Sequence, residues 1–411
     1  MHLFIKTRRY CLTALCLIAS CPLIGRAQTF EESVRAARTF DAQYTAQLAA
    51  VQGSRVSARQ AGSAFYPYAN VAFNQTDISA GGNSTQSLSL VQPLLSYSLY
   101  LSLKSSAPLS ALADAAERQA HADMFLRVNN SMAEIVRNRE SIRALNVQIK
   151  GLQEQLLRSS RMRELGQGTV TEVSDFEVRL SVAQANKVTL QNNLQSAERN
   201  FTLLTNIRPH VASLSVEPVL PWAETRSLEE LIDYARNHST AAVTAQRNLE
   251  LAEIAAKRVT AQFLPQVVAQ VGRNYSAGNQ SSDYSHVSVN LSVPLGASQY
   301  YESQKASTDI TRAQETLRYA KDFASSETSR LYQAVISYSD EVAIRQRALT
   351  AAHLAVEGNE KSYQGGVKTN IDVLTSYQNL ADAEVALVNS RLTKRDVELR
   401  LQILLDTTAL P

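Results

Sequence analysis

Apolar residues recur every seven positions along two long stretches of the chain. In the first, Val128, Ile135, Ile142, Ile149 and Leu156 mark one position of the repeat, with Leu145 and Leu152 at its partner position. In the second, Val335, Val342, Leu349, Val356 and Tyr363 do the same. Seven-residue spacing keeps one seam of an α-helix against a partner helix, so each stretch predicts a coiled-coil helix. After a short glycine-bearing break comes a return run, with Val173/Phe176, Leu180/Ala183, Leu194/Ala197 and Phe201/Leu204 in the first half and Val373, Leu380, Leu387 and Leu401 in the second. The pattern predicts two long helical hairpins. The first long helix is expected from about Pro108 to Glu164, roughly 57 residues and ~85 Å at 1.5 Å per residue, far beyond a globular domain. The return helix is shorter, so a preceding helix from about Asp41 to Ala64 is expected to stack end to end with it beside the long one.

The two breaks read LGQGTVTEV, Leu165 to Val173, and GGVKTNIDV, Gly365 to Val373. Gly166 stands six residues before Glu172, and Gly366 six before Asp372. Glycine permits the left-handed backbone that ends one helix, while Thr171 or Asn370, each followed by an acid, suits the cap of the next. Both breaks are predicted hairpin tips.

Ahead of each long helix the period changes to two. Ala69, Val71 and Phe73 alternate with Asn70, Ala72 and Asn74, and Leu88 and Leu90 with Ser87 and Ser89. In the second half Val267, Ala269 and Val271 share one side, while Val287, Val289, Leu291 and Val293 alternate against Ser288, Asn290 and Ser292. Four strands are predicted, at about 67–75, 86–93, 265–275 and 284–294, with turns at Gly81-Gly82-Asn83 and Gly278-Asn279 and with Pro93 and Pro294 as terminators. Apolar on one face and polar on the other is the lipid-out, lumen-in pattern of a transmembrane strand; a half-buried hairpin in a soluble sandwich has the same period. Tyrosines gather at the strand ends, where an interfacial belt would sit: Tyr66, Tyr68, Tyr97 and Tyr100, then Tyr275, Tyr284, Tyr300 and Tyr301. Four strands cannot close a spanning barrel, which starts at about eight, so several chains must share one; two would give eight strands and three would give twelve.

The halves match element for element. Thr29-Phe-Glu-Glu32 and Ser227-Leu-Glu-Glu230 are both read as capping boxes, and Pro67 and Pro265 break the helix before each strand pair. The predicted organisation is a first repeat at 28–208, a connector at 209–226 carrying Pro209, Pro218, Pro221 and the single Trp222, and a second repeat at 227–411.

Residues 1–27 differ in kind: Lys6, Arg8 and Arg9 precede an apolar run from Tyr10 to Ala19, as in a secretory signal peptide. Gly25-Arg26-Ala27 offers a cleavage site, and Ile18-Ala19-Ser20-Cys21 offers a competing acylation box at Cys21. All three cysteines lie before residue 22, so a chain processed after Ala27 holds none and forms no disulfide. Its 41 basic residues become 37 against 38 acids, a net charge of about −1, which excludes the concentrated basic surface of a nucleic-acid binder. No later run of about 18 apolar residues predicts a spanning helix.

The order of helix, Pro-led strand pair, long helix, Gly-x5-acid-Val tip and return helix, given twice behind a leader, resembles the TolC family of outer-membrane efflux and secretion channels. The resemblance spans nearly the whole mature chain. It implies a mainly α fold with a small β part: a homotrimer whose four strands per chain form a twelve-stranded barrel in outer-membrane lipid, continued by an α-barrel through the periplasm. It implies an exit duct that docks to a periplasmic adaptor (membrane fusion protein) and an inner-membrane pump. Position by position, it places Asp372 near the closed periplasmic entrance, Tyr363 and Lys368 in gating links, and Glu172 on the other hairpin as an acid that Lys368 pairs in the closed state. Gly166, Gln167, Gly366 and Val367 fall at the tips where an adaptor would dock. Thr375 stands where the best-known member has a second aspartate, so a doubled carboxylate ring does not carry over; three Asp372 side chains would still favour cations.

No catalytic group, cofactor or metal is expected. His121, His210, His238, His286 and His353 are isolated, no H-E-x-x-H or G-x-S-x-G occurs, and Gly166-Gln-Gly168 lacks the Lys-Ser/Thr of a phosphate loop. The competing class is a periplasmic coiled-coil adaptor or envelope spacer without a pore. It would need the heptads but not the four alternating strands.

Overall fold

The computed structural model describes residues 29–76, 83–209, 227–277, 282–292 and 297–405. The leader with Cys21, the Gly81-Gly82 and Gly278-Asn279 turns, Pro294 and nearly all of the connector lie outside the described residues. Among the described residues two matching series of six elements follow one another. The first is α1 (Phe30–Phe40), α2 (Ala42–Gly62), β1 (Tyr68–Thr76), β2 (Asn83–Leu95), α3 (Tyr97–Glu164) and α4 (Val170–Thr205). The second is α5 (Leu228–His238), α6 (Thr240–Ala261), β3 (Gln266–Ala277), β4 (Ser282–Ser292), α7 (Ala297–Gln364) and α8 (Asn370–Leu404). The Thr29 box forms in full; at Ser227 only the hydroxyl half forms, accepting from the Glu230 N–H at 3.3 Å.

Two boundaries differ from the sequence expectation. The first long helix starts at Tyr97 rather than near Pro108, giving α3 its 68 residues, ~102 Å at 1.5 Å per residue. Pro108 lies inside it, buried, at the loss of one backbone bond to the preceding turn. Packing carries the helix across: Ser96 caps it, accepting from the Leu99 N–H at 3.4 Å, and Leu101 is buried with Ile254 and Ala261 of α6. Likewise β2 continues through Pro93 to Leu95, with a register shift between those residues where the missing N–H is tolerated. The Gln92 amide fills the irregularity, donating to the carbonyls of Phe65 and Pro93, each at 2.9 Å.

The four strands form one antiparallel sheet in the order β1-β2-β3-β4, so the β2/β3 ladder joins the two repeats and β1 and β4 are its edges. Below it, α2 and α4 both pack on α3, α6 and α8 both pack on α7, and α3 also meets α6 and α8. The helices therefore lie side by side as α2-α3-α6-α7 near the sheet and α4-α3-α8-α7 near the tips. Two short helices in series run beside each long one, as the lengths predicted. The seam positions Val128, Ile135, Ile149 and Leu152 are buried. The largest core lies where α1, α2, α3, α4 and α8 meet, around Val34, Tyr44, Met124, Phe125, Phe201 and Leu392.

One histidine is built into that junction. His121 Nδ1 lies 3.0 Å from the Tyr44 hydroxyl, and burial, then the charge of Arg38, pulls its pKa below the usual imidazole value while Glu117 opposes them. The folded state thus disfavours the imidazolium. Its contribution to stability is complete above the unfolded pKa of about 6.5 and declines as pH falls below it. Thermal melts are expected to show lower Tm at pH 5.5 than at pH 7.5, with the difference reduced in His121→Asn; an equal drop in that variant would assign the effect elsewhere.

Candidate functional site: the apolar sheet face and the hairpin tips

The sheet carries two unlike faces. Across one row Ala69, Leu90, Val271 and Val287 are consecutive partners; the next row toward the β1/β2 turn is Val71, Leu88, Arg273 and Ser285, and the next Phe73, Gln86, Tyr275 and Asp283. In the other direction come Gln92, Ala269 and Val289, then Leu95, Val267 and Leu291. The apolar band therefore reaches one row further on β2, and two on β1, than on β3 and β4. Such a slant across the strands is what tilted strands crossing a horizontal apolar layer produce. Its residues are open to the surroundings, Phe73 at 72%, Val287 at 76% and Leu291 at 68% exposure. Just beyond the band Arg273 Nε donates to Asp283 Oδ1 at 2.9 Å.

The opposite face is polar, with Asn70, Ser89, Gly272 and His286 in one row and Ala72, Ser87, Asn274 and Tyr284 in the next. The His286 ring lies on Gly272, where a β-carbon would come within 2.7 Å of Cε1. Tyr68 and Tyr284 share this polar face by alternation, so of the strand tyrosines Tyr275 alone faces the apolar side. Tyr66, Tyr97 and Tyr300 stand near the helical end of the sheet, all exposed.

At the far end each hairpin turns in the same way. The Gly166 N–H donates to the Arg163 carbonyl at 3.0 Å and the Gln167 N–H to Met162 at 2.8 Å; in the second tip Gly366 donates to Tyr363 at 3.0 Å and Val367 to Ser362 at 2.9 Å. These are paired C-terminal closures that need a left-handed residue, and Gly166 and Gly366 have φ of 72° and 73°. The helix caps are Thr169 and Thr369, not Thr171 and Asn370, each hydroxyl accepting from the N–H of the acid three residues on; at the second tip that acid also reaches back. Asp372 does so, accepting from the Thr369 N–H at 2.9 Å and its hydroxyl at 2.8 Å. Those two bonds, ahead of the Lys368 charge, hold the Asp372 carboxyl below the usual aspartate range. At the first tip the Glu172 N–H donates to Thr169 Oγ1 at 3.2 Å.

The expected gate residues come together in part. Lys368 Nζ, in the turn before α8, lies 4.0 Å from Asp372 Oδ1 of the same hairpin and forms no ion pair with Glu172 within the chain. Tyr363 finds a partner across the repeats, with the Arg158 guanidinium 4.8 Å from its ring centre. Gly151, Arg158, Glu360 and Tyr377 were not singled out from the sequence. Gly151 alone left a signal, since glycine inside a long helix marks a close approach. Leu165, Val170, Val367 and Ile371 leave apolar surface at both tips. Among the described residues no helix is long and apolar enough to cross a membrane, and no group of three or more metal-binding side chains occurs.

A sheet with a slanted apolar outer face, mounted on paired helical hairpins of about 100 Å, is an architecture shared with solved outer-membrane channels. In sequence the chain is similar to outer-membrane secretion and efflux proteins, TolC among them. It is 24% identical over 319 residues to the proteases secretion protein PrtF of Dickeya chrysanthemi, covering 73% of this chain and 68% of the relative. To the outer membrane protein TolC of Vibrio cholerae it is 24% identical over 323 residues, covering 73% and 71%. Among solved structures, the outer membrane protein VceC of Vibrio cholerae superposes with a TM-score of 0.74 at 18% identity, covering 92% of this chain and 95% of that one. The CmeC outer membrane channel of Campylobacter jejuni gives 0.76 at 13% identity, covering 92% and 85%. No family model matches the chain.

Proposed function

We propose that the protein is the outer-membrane exit duct of a tripartite efflux or type I secretion system. The slanted apolar band carries this reading, because a soluble spacer has no use for it and an open four-stranded sheet cannot face lipid alone. Three copies, each pairing β4 with β1 of the next, close twelve strands into one barrel; the α-helices continue it as a tunnel into the periplasm. The polar face then lines the lumen. At the periplasmic end Asp372, Lys368, Tyr363 and Glu172 form the entrance, and Lys368 pairs Glu172 of an adjacent hairpin while the duct is shut. Such a part-exposed pair contributes about 0.2–1 kcal/mol per chain. Gly166, Gln167, Gly366 and Val367 present the tips to a periplasmic adaptor and, through it, to an inner-membrane pump. The relatives' names, protease secretion and outer-membrane efflux, support both branches of the family.

Light scattering of the detergent-solubilised mature protein tests the assembly, using Cys21→Ala so that no acyl chain retains it. A mass of three chains that persists only in detergent is expected. A detergent-independent monomer or dimer would sink the shared barrel and favour the spacer.

A further inference from the structure

Near the tips one side chain touches three helices. Tyr377, in the second turn of α8, donates its hydroxyl to Glu360 Oε1 of α7. Its ring lies against the bare backbone of Gly151 on α3, where a β-carbon would come within 3.3 Å of Cδ2. Interior helical glycine is less favourable than alanine, and here the ring occupies the space a side chain would take. Burial, then the Glu360 bond, then the charges of Glu360 and Glu154 hold the phenol well above the usual tyrosine range, so it stays a donor. One turn toward the tip, Leu374 enters the core of the first hairpin beside Ile149, Leu152 and Phe176. Nearer the tip the Arg158 guanidinium of α3 lies over the Tyr363 ring of α7.

We propose that Tyr377 is a further gating residue of the duct, a bolt that fastens the α7/α8 hairpin to α3 and keeps the entrance shut. The inference rests on the duct reading. To widen the entrance α7 and α8 must swing away from α3, and the Tyr377 ring must then leave Gly151. The Glu360 bond ties the ring to α7 as well as α8, so the two helices move as one body. Both halves of the bolt are specific: the ring needs glycine at 151, and the hydroxyl needs an acceptor at 360.

Single-channel recordings of the full protein in planar bilayers test it, with Lys368→Ala as the comparison gate variant. Tyr377→Ala and Gly151→Ala are expected to raise conductance per channel at least about twofold, Tyr377→Phe less, and Glu360→Gln to stay at the wild-type level because its amide oxygen still accepts. A second variant does not depend on loosening the fold. The β-carbon position at 151 is 3.5 Å from Tyr377 Cγ; that atom is one bond of ~1.5 Å from its own β-carbon, so the two β-carbons are at most ~5 Å apart, a span that overlaps the disulfide range of about 3.5–4.5 Å. No other cysteine follows residue 21. Oxidised Gly151→Cys/Tyr377→Cys is expected to hold the closed conductance and reductant to raise it. Wild-type channels with an unchanged Tyr377→Ala, or equal currents from the oxidised and reduced double variant, would overturn the bolt alone. Wild-type protein that makes no channel would overturn the duct and the bolt with it. Trimer yield in detergent, measured for every variant, separates gating from misfolding.

Discussion

Val289→Lys is expected to abolish membrane-inserted protein while Asn290→Lys, one residue further along β4, is tolerated. Val289 lies in the slanted apolar band opposite Ala269, and Asn290 points to the polar face opposite Val268. A lysine on the lipid side of a barrel strand costs about 2–4 kcal/mol at the bilayer midplane, and the proposed trimer would carry the substitution three times. The lumen side is wet, so the same charge there is solvated. Folding into lipid vesicles from urea, followed by the yield of detergent-resistant trimer, measures both variants. Equal yields would mean that β4 does not face lipid with its valine side, and would return the coiled-coil spacer to first place.

Phe201→Ala is expected to destabilise the helical part by about 3–5 kcal/mol, the range for removing a fully buried aromatic ring. Phe201 has 0% exposure and lies in the core where α1, α2, α3, α4 and α8 converge. The loss falls on a joint rather than on one helix. Asp41 caps α2 there, accepting from the Gln43 N–H at 2.9 Å while it also pairs with Arg127 of α3, and both depend on α1 and α2 holding their angle. Urea unfolding followed by circular dichroism should show the shift; a change below about 1 kcal/mol would mean that the site collapses around the missing ring. Leu203→Ala, two residues away at 79% exposure, serves as the control with little expected change within the isolated chain.

Much of this architecture was legible because periodicity is a local property. The seven-residue spacing of Val128, Ile135 and Ile149 determined a long helix with a buried seam, and the alternation from Val287 to Leu291 determined a two-faced strand whichever partner it had. Gly166 and Gly366 determined the tips, since the left-handed backbone at those positions excludes most other residues. The duplicated order of these signals carried the family resemblance, and with it the expectation of a shared barrel and a duct. Where sequence reading missed, a distant partner decided. Pro108 argued for a helix start, yet Leu101 packing on α6 outweighed one lost backbone bond. Pro93 argued for a strand end, yet a bulge and the Gln92 amide let β2 run on. The tip caps moved to Thr169 and Thr369, whose hydroxyls reach the N–H three residues on, and Asp372 reaches back to Thr369.

What the chain alone determined is therefore the kind of each element and the face it buries, because side chains at fixed spacing carry that information. Only the tertiary structure decided which elements meet: that β2 pairs with β3 across the repeats, and that α8 lies against α3. It alone brought Tyr377, Gly151 and Glu360 together from α8, α3 and α7. Those contacts join residues up to hundreds of positions apart, and no local period records them; they follow from how long helices share a common core.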